Sequence, residues 1–281
     1  MDAAIELEQK HARLVETLGA CESLMVAYSG GTDSAYLAFA AHEVLGDRML
    51  AVIADSASLP RKELAEALAF SERHGIPTRV LQTEELARED YQKNDGQRCF
   101  FCKDELFAAM EEMRARDGYA FLAFGMNVDD KGEHRPGQQA ARNHHVLAPL
   151  VVAELHKSEI RELARRAGLE LHAKPASACL ASRLAYGLPV TAERLLQVER
   201  AEEALHALGF GRVRVRHHDT MARIEIDREE MPRALTMEMM EQMGRTIRAL
   251  GFKYVAVDAE GYRSGSMNAV LPISEIGMAR S

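Results

Sequence analysis

The chain has 281 residues, 47% apolar and 28% charged, which is enough apolar material for a buried core and unlike a disordered or fibrous chain. No apolar run approaches the ~20 residues of a membrane helix, and the charged, amphipathic start is unlike a signal peptide, so the cytoplasm is the expected location. A net charge of −8 argues against broad nucleic-acid binding, and four cysteines are too few for a disulfide scaffold and read instead as metal ligands, catalytic thiols or buried apolar residues.

The first half alternates helix and strand signals. Leu7, Leu14 and Leu18 give residues 2–18 helical spacing, and 23–28 is a short apolar run that reads as a buried strand. A turn at 29–34 leads into an apolar helix over 35–45. A strand at 49–54, a helix at 61–74 ended by Gly75, a strand at 78–81, a helix at 103–116 and a strand at 119–124 follow. This order implies an α/β fold, a parallel sheet covered by helices on both faces. Residues 125–145, with Asp129, Asp130, Gly132, Pro136 and Gly137, read as a polar loop, and 156–167 as a helix closed by Gly168.

Regular periodicity stops over 170–191, which reads as a linker carrying Cys179. Beyond it, a helix at 192–208, two alternating strands at 212–217 and 222–227 joined by a short turn, a Met-rich helix at 230–249 and a strand at 253–258 make a smaller α+β domain with a mostly antiparallel sheet. The expected organisation is a nucleotide domain over 1–169, the linker over 170–191 and a substrate-binding or oligomerisation domain over 192–281.

Between the first strand and its helix stand Ser29, Gly30, Gly31, Thr32, Asp33 and Ser34. The glycines let the backbone approach an anion, the following helix offers unpaired N–H groups and a positive dipole end, and three hydroxyls add donors. No Gly-Lys-Ser/Thr follows, so this is not a Walker A loop. The hexapeptide resembles the SGGxDS signature of the PP-loop ATP pyrophosphatases, which cleave ATP between the α and β phosphates and leave AMP on the substrate. An acidic Asp33 in a phosphate loop suits Mg²⁺, which would neutralise the triphosphate; capping of the helix is the alternative. The resemblance places Ala54 and Asp55 where the family's backbone meets adenine. It also makes 125–130, starting with Gly125, a second PP-loop element, with an ordinary loop turn as the alternative.

Cys99 and Cys102 lie one helical turn apart where a helix begins, a position that favours thiolate. With Cys179 they make three thiols, enough to ligate an iron–sulfur cluster and leave one iron open; an incomplete zinc site, a redox pair or chance are the alternatives. Cys21 reads as a small buried residue.

The segments 174–183, 212–218, 222–225 and 258–265 resemble the LarE family, PP-loop sulfur transferases of nickel-pincer nucleotide synthesis, over nearly the whole chain. That resemblance implies a homo-oligomer that adenylylates the carboxylates of a pyridinium-3,5-biscarboxylate mononucleotide with ATP and converts them to thiocarboxylates. Some members sacrifice the sulfur of the linker cysteine and end with dehydroalanine. Others carry three cysteines and a 4Fe–4S cluster, and Cys99, Cys102 and Cys179 match that pattern, with sulfide or another donor as the sulfur source.

Arg212, Arg214 and Arg216 share one strand face, where like charges repel unless an anion sits among them; a substrate phosphate satisfies this, and pairing with Glu225 or Asp227 on a solvated face is the alternative. Arg263, beside Gly261 and Gly265, is a further candidate phosphate contact, and Glu225 a candidate metal ligand. A PP-loop tRNA thiolase also uses such cysteines but is expected to carry a basic surface or a zinc ribbon. A non-catalytic nucleotide-binding module would leave the cysteines and arginines without purpose, and an amidating PP-loop enzyme such as NAD synthetase needs no cysteine triad. No membrane or nucleic-acid partner is expected.

Overall fold

A computed structural model of the protein describes residues 2–131, 136–174, 178–263 and 266–267. Gly132, residues 175–177 and Gly265 lie outside the described residues. The chain divides into two units. Among the described residues, the first takes those up to Glu85 and from Cys99 to 174; the second takes Leu86–Arg98 and those from Ala178 to Met267. None of the described helices is long and apolar enough to cross a membrane.

In the first unit, helix α1 (Asp2–Gly19) precedes strand β1 (Leu24–Ala27), then α2 (Thr32–Leu45), β2 (Met49–Asp55), α3 (Arg61–Arg73) and β3 (Thr78–Gln82). The short α4 (Glu89–Gln92) belongs to the second unit. The long α5 (Arg98–Asp117) leads back to β4 (Phe121–Phe124), α6 (Pro136–Asn143), the short α7 (Pro149–Val152) and α8 (Lys157–Arg166). The four strands are parallel in the order β3-β2-β1-β4.

The central strand β1 and β2 as far as Ala54 are apolar because both faces are covered, whereas the edge strand β3, Thr78–Gln82, is largely polar and exposed. Leu24, Val26, Met49, Ala51 and Ile53 pack against residues of α1, α2, α3 and α8. Their alternates Met25, Ala27, Leu50 and Val52 pack against Leu106, Phe107 and Met110 of α5 and Ala140 and Ala141 of α6. The chain order reverses at β1, with β2 to one side and β4 to the other, so the loops leaving β1 and β4 meet at the switch point where such sheets bind ligands.

Two expectations are corrected here. Helix α5 begins at Arg98 and not at 103, so the cysteine pair lies inside its first turn. The stretch 125–145 is not one loop but contains α6, whose Ala140 and Ala141 are buried; a polar composition hid a narrow apolar face.

In the second unit, α9 (Ala192–Ala207) is capped by Thr191, whose hydroxyl accepts from Arg194 N–H. Strands β5 (Val213–His218) and β6 (Met221–Ile226) are antiparallel, then α10 (Met231–Ala234), α11 (Met237–Ala249) and β7 (Tyr254–Val257) follow. The sheet is mixed, because β7 runs parallel to β6 after a helical crossover. The Met-rich helix is two helices. Thr236 accepts from Met239 N–H and starts α11 afresh. Val213, Val215, Ala222, Ile224 and Ile226 face a core with Leu205, Met243 and Ile247. The opposite sheet face carries the arginines.

Candidate active site

The loop after β1 is anchored from behind. Tyr28 N–H donates to Val52 O at 2.8 Å, and the buried Tyr28 hydroxyl donates to Ala67 O at 2.9 Å. Gly30 has φ 72°, and a Cβ there would stand 2.8 Å from Ala67 Cβ, so only glycine fits. Gly31 is the N-cap of α2, and no described side chain caps the first turn, which leaves that turn's N–H groups for a ligand.

The hydroxyls divide their work. Ser29 is exposed, and its N–H donates to Ser34 Oγ at 3.1 Å. Ser34 also lies 3.1 Å from Gly31 O as a donor, closing the loop on itself. Thr32 donates to Leu171 O at 3.0 Å, so its proton braces the loop and is not offered to an anion in this arrangement.

Asp33 does not cap α2. It accepts from Asn127 Nδ2 at 2.9 Å. Burial raises its carboxyl above the ordinary value, the Asn127 bond opposes this, and the neighbouring Asp130 carboxylate adds to it. Asn127 belongs to the loop after β4, where it caps the 3₁₀ turn Val128–Asp130 in a reciprocal box with Asp130. Lys157 donates to Asp130 Oδ1 at 3.0 Å. Gly125 lies so close to the first loop that a Cβ would stand 2.7 Å from Ser34 N. The two segments expected to hold nucleotide are therefore joined directly.

Ala54 is half-buried at the C-terminal end of β2. Asp55 beside it is held by Arg61 and by Gln82 Nε2, the latter at 2.9 Å, and the Arg61 hydrogen bond keeps its carboxyl below the ordinary range.

Cys21 is 5% exposed, as expected for a packing residue. Cys99 is exposed and Cys102 half-buried, in the first turn of α5 in the first unit. Cys179 is half-buried in the second unit, at the N-cap of a 3₁₀ turn, Leu180–Arg183. Its carbonyl accepts from Ser182 Oγ at 2.7 Å, Ser182 N–H at 3.0 Å and Arg183 Nη1 at 3.0 Å. Arg183 is 2% exposed, bonds Ala178 O as well, and is gripped by Glu202 at 3.0 and 3.1 Å. The carbonyl of Cys179 is thus fixed in a residue that is only half-buried. Among the described residues, no three His, Cys, Asp or Glu side chains form a group able to hold a metal ion.

The three strand arginines differ. Arg212 is exposed, lies 3.5 Å from Asp227 and sits over the Tyr262 ring. Arg216 is 6% exposed. Its Nη2 donates to Glu225 at 2.6 Å and to Ser266 Oγ at 3.1 Å, and its Nη1 to Ser182 O at 3.2 Å. Its Nε is buried without a partner among the described residues. Arg214, also over Tyr262, has no carboxylate partner among the described residues; burial and the nearby Arg183 charge lower its pKa. Glu225 is 0% exposed, with Arg216 and Ser266 donating to its oxygens and Arg223 paired with it at 3.3 Å. Arg263 pairs with Glu260 and is exposed.

Sequence reasoning missed Asn127, Arg183, Glu202 and Tyr262. Arg183 and Asn127 stand within motifs quoted above, but their partners lie far along the chain, so spacing gave no signal.

A family model described as NAD synthase matches residues 6–124. The chain is 38% identical to an uncharacterized protein of Synechocystis sp., over 94% of this chain and 99% of that one. It is 32% identical to the pyridinium-3,5-bisthiocarboxylic acid mononucleotide synthase of Lactiplantibacillus plantarum, over 96% of this chain and 98% of the relative. An uncharacterized protein of Methanocaldococcus jannaschii is 26% identical over 86% of this chain and 92% of its own.

Proposed function

The chain belongs to the LarE family of PP-loop, ATP-dependent enzymes, and from that premise we propose that it is a sulfur transferase acting on a pyridinium-3,5-biscarboxylate mononucleotide. ATP adenylylates a substrate carboxylate and releases pyrophosphate, and sulfur then displaces AMP to give a thiocarboxylate. The observation that carries the reading is the uncapped start of α2 behind Ser29, Gly30 and Gly31, closed from the β4 side by Asn127 on Asp33. That cradle suits the pyrophosphate leaving group of an adenylylation.

Mg²⁺ fits beside it. Asp33 is a desolvated carboxylate in the field of Asp130, and it would hold the cation that offsets the triphosphate charge. Arg214 and Arg216 serve the substrate's phosphate. Arg214 is half-buried without a carboxylate partner among the described residues, and Arg216 keeps an open Nε donor among them, which a phosphate would satisfy. Arg212 and Arg263 contribute from exposed positions.

Cys99, Cys102 and Cys179 are the residue types that ligate a 4Fe–4S cluster, three thiolates where four would be a full set, and the placement of Cys99 and Cys102 one turn apart at the start of α5 supports this reading. When bound, such a cluster supplies an open iron that carries sulfide. Cys99 and Cys102 would hold it from the first turn of α5 and Cys179 from its fixed turn. The second reading, sacrifice of the Cys179 sulfur, has its own support in the clamped Cys179 backbone. The thiolate attacks the acyl adenylate, AMP leaves, and loss of the Cα proton with cleavage of the Cβ–S bond gives thiocarboxylate and dehydroalanine. It leaves Cys99 and Cys102 idle.

Pyrophosphate exchange into ATP tests the assignment. Exchange that depends on the pyridinium dicarboxylate nucleotide and is indifferent to tRNA is the expected result. Exchange stimulated by tRNA would favour a thiolase acting on nucleic acid.

A further inference from the structure

The segment Leu86–Arg98 packs within the second unit and contributes two side chains that the proposed chemistry does not use. Asn94 is 0% exposed, and its backbone is left-handed at φ 54°, a conformation a non-glycine residue keeps only when its surroundings hold it. Its Nδ2 donates to Ala185 O at 2.8 Å and Leu188 O at 2.9 Å, and its carbonyl accepts from Gly187 N–H at 3.1 Å. Its Oδ1 accepts from Arg98 Nη1.

Arg98 is 5% exposed. The same Nη1 donates to Ala181 O at 2.9 Å, and the guanidinium lies 5.7 Å from the centroid of the Tyr186 ring. Val190 N–H donates to Gln92 O at 2.9 Å, so the far end of the segment is held as well. These side chains bury little apolar area of their own. They converge on the backbone carbonyls of 181, 185 and 188, directly downstream of Cys179. From the other end, Arg183 on Glu202 takes the carbonyls of 178 and 179. Bonds to carbonyls fix a backbone path, which is what a turn presenting one thiol requires.

We propose that Asn94 and Arg98 are positioning residues for Cys179, a clamp that sets the path of the turn presenting its thiol. Arg98 directly precedes Cys99 in the chain, so the clamp is covalently next to the other cysteine-bearing segment. The consequence for turnover rests on the sulfur-transfer reading; the consequence for the thiol does not.

The test compares wild type, Arg98→Met, Arg98→Lys and Asn94→Gly as full-length proteins. Asn94→Gly keeps the left-handed backbone and removes only the side-chain bonds. Iodoacetamide alkylation of Cys179 is followed by peptide mass spectrometry across pH, with buried Cys21 as the fold control for the first unit and amide-exchange protection of β5 and β6 as the control for the second, which holds Asn94 and Arg98. Arg98→Met and Asn94→Gly should change the Cys179 rate several-fold while Cys21 stays protected, with Arg98→Lys in between. Sulfur transfer should fall roughly tenfold or more, as misplacement of a reacting group predicts. Pyrophosphate exchange should stay within about twofold, since adenylylation does not use the Cys179 thiol. Should Arg98→Met lose amide protection in β5 and β6, Arg98→Lys and Asn94→Gly carry the comparison. An unchanged Cys179 rate and pH profile in all folded variants would overturn the clamp, whatever happens to turnover. A wild type with neither exchange nor sulfur transfer would remove the functional reading, and the alkylation comparison would still decide the clamp.

Discussion

Asn127 donates to Asp33 Oδ2 across 2.9 Å, and this bond ties the loop after β4 to the loop after β1. It holds a carboxylate that burial makes costly to ionise. Asn127→Ala removes a hydrogen bond to a charged group, worth about 1.5–3 kcal/mol, so pyrophosphate exchange should fall roughly tenfold or more. Asp33→Asn should nearly abolish Mg²⁺-dependent exchange yet raise Tm at neutral pH. A carboxyl whose folded pKa is raised destabilises the fold once ionised, and the amide escapes that cost. Exchange assays with thermal melts separate the two effects.

The two loop glycines are not equivalent. Gly30→Ala adds a Cβ 2.8 Å from Ala67 Cβ at a φ of 72°, and should cost roughly 2–4 kcal/mol in stability. At Gly31, φ is −77° and the nearest atom to a new Cβ is Ser29 Oγ at 3.5 Å. Gly31→Ala should therefore fold with near wild-type stability and lose activity only through a hindered approach to phosphate. Urea unfolding of both variants checks this.

The strand arginines should separate in the same way. Arg214→Ala should raise KM for the mononucleotide by roughly tenfold or more, the loss of one charge-assisted bond, and leave KM for ATP unchanged. Arg216→Ala leaves Glu225 buried without its main partner and should cost roughly 3–5 kcal/mol in stability. Arg212→Ala, exposed and weakly paired, should do little to either.

Much of this was legible in the sequence, for physical reasons that differ by element. Strand β1 is apolar at every position and β2 up to Asp55 because both faces are covered, and the loop needs glycine at Gly30. Those signals are local. The direction of β7 was not legible, since alternation within a strand says nothing of its neighbour. Nor was α6, whose buried alanines sit in a polar stretch. Arg212, Arg214 and Arg216 share a face as expected. Their different fates depend on Asp227, Tyr262 and Glu225, which the fold brings in from elsewhere.

Two histidines give opposite pH dependences. His144 Nδ1 and Nε2 lie 2.9 Å from Glu111 and 3.0 Å from Asp104. Burial lowers its pKa, but the bonds to these carboxylates outweigh that and raise it overall. Its contribution is complete below the ordinary histidine pKa of about 6.5 and is lost as pH rises through the raised value. His217 is 2% exposed, and burial pulls its pKa down to about 4. Its neutral form supports the fold above about pH 6.5, and that support is lost as pH falls toward about 4. Melts from pH 4 to 8 should show His144→Gln losing stability relative to wild type at the acid end of its range. His217→Phe should flatten the acid limb.

The most direct test is product analysis of a single reaction containing ATP, Mg²⁺, the pyridinium dicarboxylate mononucleotide and a sulfide source. AMP, pyrophosphate and a thiocarboxylate that no longer forms in Cys179→Ala are the predicted result. ADP and phosphate, or thiocarboxylate formed equally well without Cys179, would contradict it.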